Sequence, residues 1–121
     1  MFGFGRKDDT IVLNKTRRTR FVAIAFLGDG DVPTFERTCY FEFHTILNGK
    51  SQRKDMLSIQ DTKTDAVVKT LKDMKVDTVV ARAYGPRAMH ALKNAGIRCC
   101  VFDGGPHAAI NAYLKDALVE V

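Results

Sequence analysis

The sequence predicts a single α/β domain in which a mixed sheet of five strands is covered by helices. Three observations carry this. Residues 20–27 form a continuous apolar run with β-branched members, the pattern of a strand buried on both faces. Asn48-Gly49 separates two strand-like segments, a pair of residues suited to a tight hairpin turn. From Thr62 onward the apolar period changes from 2 to 3.6, and helical and strand-like segments then alternate to the C-terminus.

Taken in order, residues 1–19 show no sustained period and read as an irregular arm, with a short extended piece around Ile11-Val12-Leu13. The domain proper spans residues 20–121. After the first strand, Gly28-Asp29-Gly30-Asp31 reads as a turn and residues 32–38 as an ordered loop. Residues 40–47 and 50–59 are the hairpin strands, with His44 and Glu42 on the polar face of the first. Thr62 with Asp65 resembles a capping box, and Val67, Leu71 and Met74 mark one helical face with Val68 beside it. Residues 76–83 form the fourth strand, 86–95 a helix, and Gly96 suits the position just past its end. Residues 97–102 are the fifth strand. The last helix runs from Pro106 to about Leu118, with Ile110, Tyr113, Leu114 and Ala117 facing inward. The order is β-β-β-α-β-α-β-α.

The net charge of +5 is concentrated at one end: residues 1–20 carry +4 of it. A basic arm of this kind can touch nucleic acid or an acidic partner. No apolar run approaches the roughly 18 residues of a membrane span, and the N-terminus lacks the apolar stretch of a secretory signal. The cysteine count of three is odd, and Cys99 and Cys100 are adjacent in a strand. Their side chains therefore point to opposite faces, and no disulfide framework is indicated. A reduced, cytoplasmic protein is expected.

Two stretches are near copies: Gly85-Pro86-Arg87-Ala88 and Gly105-Pro106-His107-Ala108. Each follows an apolar strand and opens an alanine-rich helix. Glycine permits a sharp turn, and proline is pre-shaped for the first helical position. Arg87 and His107 then fall in a first helical turn, where the macrodipole disfavours a cation by about 0.3–1 kcal/mol. A basic residue placed there twice implies that something negative completes the site. In an open α/β sheet the two strand ends lie side by side, in the crevice where such folds bind ligands.

The segment Val76-Asp77-Thr78-Val79-Val80-Ala81, then Gly85-Pro86-Arg87-Ala88, then Ala91-Leu92-Lys93-Asn94-Ala95-Gly96-Ile97 resembles the dinitrogenase iron-molybdenum cofactor biosynthesis family of NifX-like nitrogenase accessory proteins. Ala109-Ile110-Asn111-Ala112-Tyr113-Leu114 resembles that family's last helix, so the likeness runs from about residue 21 to 118. It implies a three-layer ribonuclease-H-like fold with a five-stranded mixed sheet. It also implies binding or carriage, without catalysis, of an anionic iron-sulfur or molybdenum-iron-sulfur cluster or its precursor. Cluster-assembly or cluster-accepting proteins would be the partners. The candidate binding residues are Asp29, Thr34, Arg37, Gly85, Arg87, Asp103, Gly105 and His107. Two departures stand out. Thr34-Phe35-Glu36-Arg37 carries threonine where the family's loop has its ligand histidine, and Arg82-Ala83-Tyr84 replaces a glycine-rich stretch, with bulk that narrows the pocket.

Soft-metal clusters want thiolate or imidazole donors. His107 at a strand end is the best placed, followed by Cys39 beside the loop; Cys99 and Cys100 read as core residues. No CxxC or HxxxH spacing is present, which argues against a zinc or ferredoxin-type site. A two-metal nuclease would need converging carboxylates. Asp29, Asp31 and Asp103 follow strands, but their partners would have to come from Glu42, Asp116 and Glu120, the last two near the chain end. The expectation is therefore a non-enzymatic carrier. The alternative is a nucleic-acid or protein-interaction module that uses residues 1–20 and keeps a vestigial crevice.

Overall fold

The structure, a computed structural model, describes residues 19–28 and 30–121. The expected arm, its extended piece at Ile11-Val12-Leu13 and Asp29 thus lie outside the described residues, apart from Thr19. Strands β1 (Arg20–Phe26), β2 (Tyr40–Leu47), β3 (Lys50–Ser58), β4 (Thr78–Ala81), β5 (Arg98–Val101) and β6 (Val119–Glu120) form one sheet in the order β3-β2-β1-β4-β5-β6. The helices are α1 (Thr64–Asp73), α2 (Pro86–Asn94) and α3 (Pro106–Leu114), and a short 3-10 turn spans Phe35–Arg37. β1, β4 and β5 run parallel, while β2, β3 and β6 join by antiparallel pairing. The sheet is mixed, as expected.

The central strands bury every residue in their middles: Val22 to Ala25 in β1 and Thr78 to Ala81 in β4. A strand apolar on both sides needs cover on both faces. The crossings through α1 and α2 move in the same direction across the sheet, and right-handed connection puts both helices on one face. There they pack on each other, with Val67, Val68 and Leu71 of α1 and Ala88 and Leu92 of α2 buried. α3 packs against β1 through buried Ala109 and Ile110. β3 is the polar edge strand, nearly all exposed and rich in charge, which discourages pairing with another chain.

Four expectations are corrected. The sheet has six strands, because Val119 and Glu120 pair with Val101 and Cys100. Two residues are too few to show a period. The last helix stops at Leu114 rather than Leu118: Asp116 adopts φ 56°, Ala117 N–H donates to Ala112 O at 2.8 Å, and Ala117 is exposed. The Thr62 capping box does not form. Lys63 is the N-cap residue, and its N–H donates to Asp61 Oδ1 at 3.1 Å. Finally, Glu42 and His44 are buried rather than on a surface face, at 8% and 4% exposure.

Gly96 does end α2 as expected, at φ +78° with open space around its missing Cβ. Alanine there meets no neighbour, so only the left-handed backbone is penalised. Gly96→Ala should lower stability by about 1 kcal/mol, read as a shifted midpoint with unchanged slope in urea unfolding.

Candidate functional site

At the ends of β4 and β5, where the sequence predicts a crevice, each strand leads through a Gly-Pro step into a helix. Neither N-cap residue has a side chain to cap its own helix: Gly85 and Gly105 occupy those positions, each followed by proline. Neither glycine makes the turn by a left-handed conformation, since Gly85 has φ −71° and Gly105 φ −82°. Gly104, at φ +153°, is the residue that needs to be glycine on backbone grounds. At Gly85 an added Cβ would lie 2.7 Å from Glu36 Oε2, the far end of a flexible side chain.

The loop after β1 is stapled over these strand ends. Val32 N–H donates to Gly104 O at 2.8 Å, Arg82 N–H to Pro33 O at 2.9 Å, and Phe35 N–H to Ala83 O at 2.9 Å. Thr34 O accepts from Thr38 Oγ1 at 2.8 Å and from Arg37 N–H at 3.1 Å, which closes the 3-10 turn. Phe35 is buried and stacks on Tyr84 at 5.7 Å. The Tyr84 side chain turns into the sheet. Its hydroxyl lies 2.9 Å from Val79 O and 2.7 Å from Cys100 O, between β4 and β5. Burial pushes its pKa upward, so it stays protonated.

Two acidic residues that sequence reasoning passed over occupy the positions where a ligand anion was expected. Glu36 Oε2 accepts the Gly85 N–H at 2.7 Å, giving the N-terminus of α2 a carboxylate from the loop. Asp65, in the first turn of α1, accepts from Arg87 Nη2 at 3.0 Å. The signal for Glu36 was present: a helix that opens on Gly-Pro leaves backbone N–H groups in need of an acceptor. The Arg87–Asp65 pair is exposed on both sides, 79% and 71%, and such a pair stabilises by only about 0–1 kcal/mol. Arg87 is therefore easily released.

His107 is exposed in the first turn of α3, with Nε2 3.4 Å from Asn111 Nδ2. β4 and β5 are neighbours, so the two helices start beyond adjacent strand ends, but Arg87 is engaged by Asp65 and His107 lies against Asn111. Arg37, Cys39 and Asp103 are exposed around the same end. Arg82, Phe102 and Asp103 help to line a cavity of about 330 Å³ there. Among the described residues no three His, Cys, Asp or Glu side chains gather as a metal site. Cys99 and Cys100 are buried, and burial raises the pKa of both, Cys99 to about 11. They remain thiols, as expected of core residues.

The signature of the dinitrogenase iron-molybdenum cofactor family matches residues 19–116. The chain belongs to this family. Known structures agree on the fold of this family member. A candidate NifB protein from Thermotoga is 25% identical, with a TM-score of 0.67 over 84% of this chain and 92% of that one. A candidate dinitrogenase from Methanocaldococcus jannaschii is 14% identical, with a TM-score of 0.71 over 84% and 93%. The apo form of the orange protein from Desulfovibrio gigas is 17% identical, with a TM-score of 0.66 over 84% and 92%. No curated protein matches the chain. Among the described residues no helix is long and apolar enough to cross a membrane. The nucleic-acid alternative rests on residues 1–20, of which 1–18 lie outside the described residues.

Proposed function

We propose that this chain is a non-enzymatic carrier or scaffold for an anionic iron-sulfur or molybdenum-iron-sulfur cluster, or its precursor. Residues 20–121 would form its ribonuclease-H-like, three-layer domain, and residues 1–19 the basic arm. One observation carries the reading beyond family membership: the loop after β1 bonds the backbone just ahead of both helix starts, at Ala83 and Gly104, and the first start already holds a carboxylate, that of Glu36. A helix N-terminus that takes Glu36 presents the N–H groups and dipole that an anionic cargo needs.

The hold would be electrostatic first. The backbone at Gly85 and Gly105 supplies N–H groups, and Arg87 and Arg37 supply planar forks that can bond sulfide or oxo groups on a cluster's rim. Thr34 and Asp103, with Asp29 beyond the described residues, would border the site. His107 is the proposed ligand from the fold, with Cys39 as a second donor. The partners would be cluster-assembly or cluster-accepting proteins, and the setting cytoplasmic.

Anaerobic reconstitution with iron and sulfide, or with thiomolybdate, tests this by absorption spectroscopy and metal analysis. Retention by the native chain, with severalfold less metal held by Arg87→Ala and by His107→Ala, is the expected result. A native protein that retains no metal would overturn the carrier reading.

A further inference from the structure

A second cavity, of about 250 Å³, lies at the opposite end of the sheet, where β4 and β5 begin. Arg20, Asp77, Thr78, Gly96, Arg98 and Tyr113 line it. Its composition follows from register. Thr78 pairs in parallel with both Val22 and Arg98, and Arg20 stands two residues before Val22 on β1. Side chains two apart on a strand share a face, so Arg20, Thr78 and Arg98 emerge from three adjacent strands on one side of the sheet. Tyr113, in the last turn of α3, lies over that side.

The charges are paired in kind. Two guanidiniums face the cavity, together with the Asp77 carboxylate, one oxygen of which accepts the Phe21 N–H at 3.0 Å. Arg98 is engaged at Nε by Glu120 at 3.0 Å, which leaves its other N–H groups for further bonds. These four residues sum to zero charge. The negative end of the α3 dipole is also close, since Tyr113 sits one residue from the helix end. A dianion would meet Asp77, Glu120 and that dipole; a simple cation would meet two arginines. A ligand that is neutral overall and carries both charges avoids each penalty.

Thr78 adds an independent sign. It is 1% exposed, and its Oγ1 is a buried side-chain polar atom with no hydrogen-bond partner among the described residues. A buried hydroxyl left unpaired is costly, and it calls for a partner that the described residues do not provide.

We propose that this cavity binds a small zwitterion of the α-amino-acid type. Its carboxylate lies between Arg20 and Arg98, and its ammonium is turned to Asp77 on the side of the α3 C-terminus. Thr78 Oγ1 contributes a hydrogen bond at the cavity floor. The site is separate from the helix-start crevice, and the proposal does not depend on what that crevice carries.

Titration of the ¹⁵N-labelled full chain with glycine, L-alanine and L-leucine tests the assignment. Acetate and methylamine serve as the two half-ligands, and inorganic phosphate as the dianion. Amide shifts should concentrate at residues 77, 78, 96, 98 and 113, with at least one amino acid binding at least tenfold more tightly than acetate, methylamine or phosphate. Arg20→Met and Asp77→Asn should each weaken that binding at least fivefold while circular dichroism stays native. Thr78→Val removes the unpaired hydroxyl without changing shape. It should raise the melting temperature of the free protein and weaken binding in the same molecule. Tighter binding of phosphate or of acetate would overturn the proposal. So would unchanged affinity in the folded Arg20→Met variant, or the absence of shifts up to the solubility limit of all three amino acids.

Discussion

Replacing His44 by alanine should cost about 3 kcal/mol of stability, the range seen when one member of a buried charged or polar pair is removed. The imidazole is 4% exposed and is held on both nitrogens, Nε2 at 3.1 Å from Glu42 Oε1 and Nδ1 at 2.9 Å from Ser51 Oγ. With Nε2–H donating to the carboxylate, Nδ1 accepts the serine hydroxyl, an assignment that satisfies all three groups. Alanine strands Glu42, which is itself only 8% exposed. Glu42→Gln should cost less, because the amide oxygen still accepts the ring N–H. Burial lowers the His44 pKa below 6.5, with Glu42 opposing the shift. In the window below 6.5 the unfolded chain therefore binds a proton that the folded ring resists, so stability falls as pH falls through that window. Urea unfolding of the native chain and of His44→Ala from neutral pH downward checks both statements. The native chain should lose stability faster in this window. Parallel curves would show that His44 is not the titrating group.

That buried network also marks where the sequence stopped being legible. The central strands are readable because burial on both faces leaves an unbroken apolar run, and the helices because Val67 and Leu71 in α1, and Ala88 and Leu92 in α2, keep helical spacing. His44 and Glu42 alternate with Phe41 and Phe43 in β2, the pattern of a strand with one wet face. Pattern alone cannot tell a wet face from a buried polar network whose members satisfy one another. The candidate site divides in the same way. The paired Gly-Pro-basic motif locates the helix starts correctly, since local chemistry dictates it. Where Arg87 reaches is decided by Asp65, 22 residues away in sequence, and what caps Gly85 is decided by Glu36, 49 residues away. β6 escapes for a different reason. Its two residues are both exposed, and only the turn at Asp116 aims them at β5.

Glu36→Gln should raise retention of an anionic cluster about two- to fivefold in the reconstitution described above, because Glu36 competes for the place the cargo needs. Its Oε2 lies 2.7 Å from the Gly85 nitrogen, and Gly85 lacks the Cβ that would push the carboxylate away. Like charge beside a bound anion is unfavourable, while the helix N-terminus stabilises whichever anion sits there by about 0.3–1 kcal/mol. Glutamine keeps an oxygen for the N–H and loses only the charge. The folded chain should therefore change in stability by less than about 1 kcal/mol, the size of the dipole interaction given up. Gly85→Ala approaches the same contact from the other side. At φ −71° its backbone is unstrained by a side chain, so the new methyl acts by displacing the flexible carboxylate. It should free the Gly85 N–H without disturbing the fold, which backbone amide shifts at residue 85 would report. The measurement that decides is metal content per chain at limiting thiomolybdate. Higher content in Glu36→Gln, reversed by adding Arg87→Ala, would place the cargo at the start of α2. Equal content in native and Glu36→Gln chains would move it away from that helix, to α3 and His107.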